Sequence, residues 1–154
     1  MPYTKKIMIA LLLVCIGIQF IQPERNQNEQ VLPTDLSMVF SVPVSVLHIL
    51  QTSCYDCHSN KTHYPWYASF QPGAWWMALH IRQGKSNLNF SEFGAYSNRK
   101  QQGKLQAIAN SIKDQTMPLW SYNLLHTNAK LSPDEKVVLL DWVKTTKDSL
   151  SLKN

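Results

Sequence analysis

Apolar residues recur along most of this chain three and four positions apart, and almost nowhere in the strict alternation of a half-buried strand. Val46, Leu47, Ile49 and Leu50 share one broad face behind Pro43, a residue suited to a first helical position. They predict a helix ending near Cys54. A second helix is predicted from Pro72 to Gln83 and closed by Gly84, with Trp76, Leu79 and His80 neighbours on its surface. Leu105, Ile108, Ala109 and Ile112 predict a third, from about Arg99 to Lys113, and a short helix is expected after Pro118. Ser132-Pro133-Asp134-Glu135 reads as a capping box with proline in its first turn. It opens a last helix whose predicted buried stripe is Val138, Leu139, Trp142 and Val143. The expected class is all-α, with about four to five helices.

The N-terminal third follows other rules. Lys5 and Lys6 precede an almost unbroken apolar run from Ile7 to Ile18, so residues 1–21 read as an export signal or membrane anchor. The run is shorter than the ~20 residues that cross a bilayer comfortably, which suits a cleavable signal. No small-x-small cleavage site stands near Gln19–Pro23, which leaves an uncleaved anchor open, with membrane contact through residues 7–21. Cys15 would suit a lipoprotein, but Val14 stands before it where a small residue is expected. Cys15 reads instead as an apolar filler. Residues 22–38 are polar and aperiodic, and read as a linker to one domain at residues 39–149.

Composition changes this picture in two ways. Five tryptophans and six tyrosines in 154 residues call for a core or a flat apolar cofactor to pack against. The net charge of +5 includes Lys5 and Lys6. The remainder, 13 Lys+Arg against 10 Asp+Glu, forms no basic stripe and argues against nucleic acid.

The segment that carries chemistry is Cys54-Tyr55-Asp56-Cys57-His58. Two thiols one helical turn apart match the vinyl groups of a porphyrin, and the histidine directly after them lies under the ring centre, within reach of the iron. The reading is haem c, one per chain, attached at Cys54 and Cys57 with His58 as an iron ligand. Attachment of this kind is made outside the cytoplasm, in agreement with the export signal. Two other readings use the same residues: a zinc site of Cys54, Cys57, His58 and His63, and a disulfide or redox pair. Neither needs His58 directly after the second cysteine.

For the far side of the iron the candidate is Met117, in a loop between two helices and stiffened by Pro118. His80, His126 and His63 are the alternatives. His48 points away if Leu47 and Leu50 face inward. Tyr64-Pro65-Trp66-Tyr67 and Trp75-Trp76 suit the walls of a haem pocket, and the Trp66 indole would reach a propionate or a carbonyl. Lys100, Lys104 and Lys113 would serve as a docking rim.

With these residues in hand, the chain resembles the small haem-binding domain family of c-type cytochrome-like proteins of bacteria, over about Ser45 to Val143. The likeness rests on Cys54-Tyr55-Asp56-Cys57-His58-Ser59-Asn60, Thr62-His63-Tyr64-Pro65-Trp66-Tyr67, Trp75-Trp76 with His80-Ile81, and Leu88-Asn89-Phe90-Ser91. It continues through Met117-Pro118-Leu119 with Tyr122 and His126, Ala129-Lys130-Leu131-Ser132, and Trp142. The resemblance implies haem and a cytochrome c-like helical fold, in which the first helix of the domain crosses the last. Leu47 or Leu50 is then expected against Val138 or Trp142. The function expected is one-electron transfer in the periplasm with a redox partner protein, on a domain that is a carrier rather than a catalyst. The alternatives are a haem enzyme or sensor with an open sixth position, and a zinc or disulfide module.

Overall fold

The capping box forms as the sequence predicts. In a computed structural model that describes residues 2–152, the Ser132 hydroxyl accepts from the Glu135 backbone N–H, and the Glu135 carboxylate accepts from that of Ser132. Eight α-helices are present among the described residues. They are α1 (Tyr3–Ile18), α2 (Leu36–Val39), α3 (Val44–Ser53), α4 (Tyr55–His58), α5 (Gly73–Asn87), α6 (Asn98–Lys113), α7 (Trp120–Leu125) and α8 (Pro133–Ser151). Short 3-10 turns lie at Trp66–Ser69, Phe90–Ala95 and Thr127–Ala129. Extended pairing among the described residues is confined to one bridge, between Gln27 and Lys61. The fold is all-α.

The main core is where α3, α6 and α8 meet. Val46, Ile49 and Leu50 of α3, Leu105, Ala109 and Ile112 of α6, and Leu139, Trp142, Val143 and Leu150 of α8 bury together with Leu36, Phe90, Phe93 and Leu131. The first helix of the domain therefore packs on the last, and Leu50 and Trp142 belong to one buried cluster. Val138 departs from its expected place. It is 41% exposed, because the buried stripe of α8 continues to Thr146 and Leu150 instead. A smaller cluster of Ala68, Met77 and Ile81 fastens α5 to the turn before it, with Tyr64 and Tyr67 packed against it.

Two helix boundaries differ from expectation for physical reasons. Pro43 is the N-cap of α3 rather than its first residue. The helix expected to close at Gly84 runs on to Asn87, because Gly84 keeps helical geometry and has no left-handed φ. Its absent side chain serves packing instead. A Cβ at Gly84 would lie 2.4 Å from the carbonyl oxygen of Cys57. By contrast, the chain leaves α6 through a left-handed residue, Gln115, at φ 56°.

The polar residues 22–38 lie along the domain. Asn26 is the centre of this seam: its side-chain amide donates to the Ser59 carbonyl and to Thr62 Oγ1, and its Oδ1 accepts from Lys85 Nζ. Its backbone N–H donates to the Tyr64 hydroxyl, and Leu36 is fully buried. Polar pairing of this sort leaves no hydrophobic period to read. At its near end, Gln19 and Ile21 are hydrogen-bonded to Gln71 and Trp75 at the start of α5. The α1 helix itself buries none of its residues and, at about 24 Å, is short of the ~30 Å hydrocarbon core. No helix among the described residues is long and apolar enough to cross a membrane.

Candidate haem site

Cys54 ends α3 and begins α4, so the Cys54–His58 motif is a single turn set at the corner between two helices. The backbone N–H groups of Cys57 and His58 both donate to the Cys54 carbonyl, at 3.3 and 3.0 Å. Gly84 lets α5 press directly on this turn, against the Cys57 backbone. Both thiols are free rather than bonded to each other. Burial, with the charge of Cys57 second, pushes the Cys54 thiol up to about 12. Burial, with the charge of Asp56 second, pushes the Cys57 thiol up to about 11. Both shifts reflect the apolar surroundings of the two thiols.

His58 is oriented by its surroundings. Its Nδ1 lies 3.0 Å from the Leu88 carbonyl, which makes Nδ1 the donor there, with the Gly84 backbone as a second hydrogen-bond neighbour of the ring; Nε2 is then the nitrogen that a metal would take. Burial holds its pKa below the ordinary histidine value, so the ring stays neutral. The Leu88 carbonyl is itself held in place through its neighbour Asn89 and through Ser91. Asn60 Oδ1 accepts from the Asn89 amide, and the Asn60 backbone N–H donates to Ser91 Oγ at 3.1 Å. The Ser59-Asn60 and Leu88-Asn89-Phe90-Ser91 pieces of the sequence are thus two halves of one buried joint.

Two adjoining cavities of about 330 and 230 Å³ open at this turn, and both are bounded by Cys54, His58, Asn87, Met117 and Pro118. These are volumes of the order of ligand sites. The larger is walled by Lys104, Ala107, Ile108, Ser111 and Ile112, a stripe of α6 at helical spacing, together with Leu88, Phe90 and Leu131. The smaller adds Cys57, His80, Gly84 and Tyr122. The structure therefore brings Cys54, Cys57, His58 and Met117 to the smaller cavity, and all but Cys57 to the larger as well. Met117 is 39% exposed, on the loop after α6, with its backbone N–H donating to the Ser111 carbonyl.

The alternatives separate. His80 shares the smaller cavity with Met117, its Nδ1 2.8 Å from the Trp76 carbonyl. His126 is held by the Tyr67 hydroxyl at 2.7 Å. His63 and His48 are both exposed, and neither lines either of these cavities. Among the described residues no three His, Cys, Asp or Glu side chains converge on a metal site, so His63 does not complete the zinc set. The aromatic walls differ in part from expectation. Trp66 is 79% exposed and meets the edges of Tyr67 and Phe70 rather than either cavity. Tyr67 and Trp76 do line a small apolar recess beside Cys57 and His80. Of the three lysines, Lys104 is on a cavity wall, and Lys100 lies over the Tyr96 ring. Sequence reasoning carried Asp56, Asn60, Leu88 and Asn89 as pieces of the family likeness and gave them no role, since their contacts run through backbone or through residues distant in sequence.

These features define a class. A helical domain that presents two free, half-buried thiols and a neutral imidazole, oriented through its Nδ1, beside an apolar cavity is fitted to hold a haem. The family model of the haem-binding domain matches residues 13–145, and the chain belongs to that family. No curated protein and no solved structure matches it.

Proposed function

We propose that the domain is a one-electron carrier that holds a single haem c through thioethers to Cys54 and Cys57, with His58 and Met117 as iron ligands. The observation that carries this reading is the His58 ring. Its Nδ1 is committed to the Leu88 carbonyl, which makes Nε2 the nitrogen to offer a metal, and the residue borders the cavity that Met117 also lines. Bound there, haem would supply an iron that exchanges one electron without making or breaking bonds to a substrate. The protein's part is to orient the imidazole, exclude water with the α6 stripe and close the sixth position with a thioether, which raises the potential relative to a second histidine. The N-terminal segment suits export to the periplasm, with α1 as an anchor in the inner membrane. The redox partner would dock at the Lys104 side of the cavity.

The test is a visible spectrum of protein produced with haem-attachment machinery, oxidised and reduced, with a mass spectrum of the unfolded chain. Reduced c-type bands and a mass increased by one haem support covalent attachment. A colourless chain of unmodified mass would overturn it. A second reading, a haem enzyme or sensor, is favoured by His80, which borders the same small cavity as Met117. Carbon monoxide distinguishes the two: it binds the reduced protein at once if the sixth position is open, and slowly if Met117 fills it.

A further inference from the structure

The Met117 loop is anchored unevenly. On its N-terminal side it is tied to α6, through the Thr116 and Met117 N–H groups to the Ser111 carbonyl. On its C-terminal side it runs into α7, which buries none of its residues and leaves Trp120, Leu124 and Leu125 largely in solvent. Apolar packing therefore does little to hold α7 in place. Hydrogen bonds take over that task. The Tyr122 hydroxyl donates to Asp56 Oδ2 at 2.6 Å. The Tyr122 ring also stacks on His126 at 4.2 Å, and His126 pairs with the Tyr67 hydroxyl. Asp56 in turn is fixed, its Oδ1 accepting from the His63 N–H at 2.9 Å and its carbonyl from Thr62 Oγ1. It stands between the two cysteines of the attachment turn, 66 positions from Tyr122, and meets that residue only through the fold.

We propose that Asp56 and Tyr122 form a latch that fastens the Met117 loop to the attachment turn and sets how firmly the sixth position of the iron is closed. The inference rests on Met117 as ligand and gives both residues a positioning role. It accounts for an acidic residue inside the Cys54–Cys57 spacing, where neither thiol nor imidazole needs one. Burial and the bond to Asp56 both raise the Tyr122 pKa, so the phenol remains a donor throughout the neutral range. A hydrogen bond to a charged acceptor is among the stronger single links available at a half-buried site.

The experiment uses the haem-loaded full chain with Tyr122→Phe, Asp56→Ala, both together, and Met117→Ala as reference. Tyr122→Phe keeps the ring and its stacking and removes only the hydroxyl. Carbon monoxide should bind the reduced Tyr122→Phe and Asp56→Ala proteins about ten- to a hundredfold faster than the parent, the range for losing a charged hydrogen bond. Their reduction potentials should fall towards that of Met117→Ala, and the double variant should match Asp56→Ala, since the Tyr122–Asp56 bond is already lost in each single variant. Far-ultraviolet circular dichroism and haem mass should be unchanged. Asp56→Asn, which keeps an oxygen to accept from Tyr122, should regain most of the closure. Parental rates and potentials in Tyr122→Phe and Asp56→Ala, beside altered ones in Met117→Ala, would overturn the latch and leave Met117 as ligand. An Asp56→Asn protein as open as Asp56→Ala would also overturn it, by assigning the effect to charge. A parental Met117→Ala would remove the Met117 reading, and the latch with it.

Discussion

Gly84 and Met117 show how single residues govern the site. A methyl group on Gly84 would meet the Cys57 carbonyl at 2.4 Å, so α5 would have to withdraw from the attachment turn. Alanine ordinarily stabilises a helix relative to glycine by about 1 kcal/mol. Here the clash reverses the sign, and Gly84→Ala should lose about 1–3 kcal/mol, the usual cost of overpacking. Urea unfolding would measure this, and a lowered yield of attached haem should accompany it, since the displaced backbone carries Cys57. For Met117→Ala the expected result is different: haem remains attached, the reduction potential falls and carbon monoxide binds freely. An unchanged spectrum and potential would exclude Met117 as the ligand.

At the scale of elements, α8 begins with the best-defined local signal in the chain. Ser132→Ala removes the acceptor for the Glu135 N–H and should cost about 1 kcal/mol in thermal or chemical unfolding. The pH dependence has a definite sign. Hydrogen bonds from the Ser132 backbone and side chain lower the Glu135 pKa below its ordinary 4.5. The contribution of this carboxylate is therefore complete above the unfolded value and lost as pH falls through the depressed folded one. Glu135→Gln should flatten that part of the stability profile. Deeper in the same helix, Leu139 is fully buried in the main core, and Leu139→Ala should lose about 2–5 kcal/mol. Differential scanning calorimetry would separate this large loss from the small one at the cap.

Across the whole molecule, the cavity lies between elements that are distant in sequence. The α3–α4 corner supplies the thiols, the 88–91 segment orients the imidazole, and α6 with the loop after it forms a further wall. A ligand held in this space only by the folded state would stabilise that state. Replacing both Cys54 and Cys57 with alanine should abolish covalent haem and lower the thermal midpoint of the isolated protein. A double variant that still carried haem through denaturation would overturn thioether attachment.

The sequence alone determined the features that rest on local physics. Helical periodicity placed α3, α5, α6 and α8 to within a few residues, since a buried stripe repeats every turn whatever it packs against. The Cys54–Cys57–His58 spacing was legible as a single helical turn, since it spans only five residues. Other features needed the tertiary structure. The side chain of Val138 was placed in the core by period and in solvent by the fold, because the neighbours of a helix choose which part of a wide stripe is covered. Gly84 read as a helix stop and proved to be a point of close approach. The polar residues 22–38 carry no period, since they are held by hydrogen bonds such as those of Asn26. The joint between Asn60 and Asn89, the carbonyl that turns His58, and the bond from Tyr122 to Asp56 left no local trace at all. Each joins residues about 30 to 66 positions apart, and only folding brings such groups within hydrogen-bonding distance.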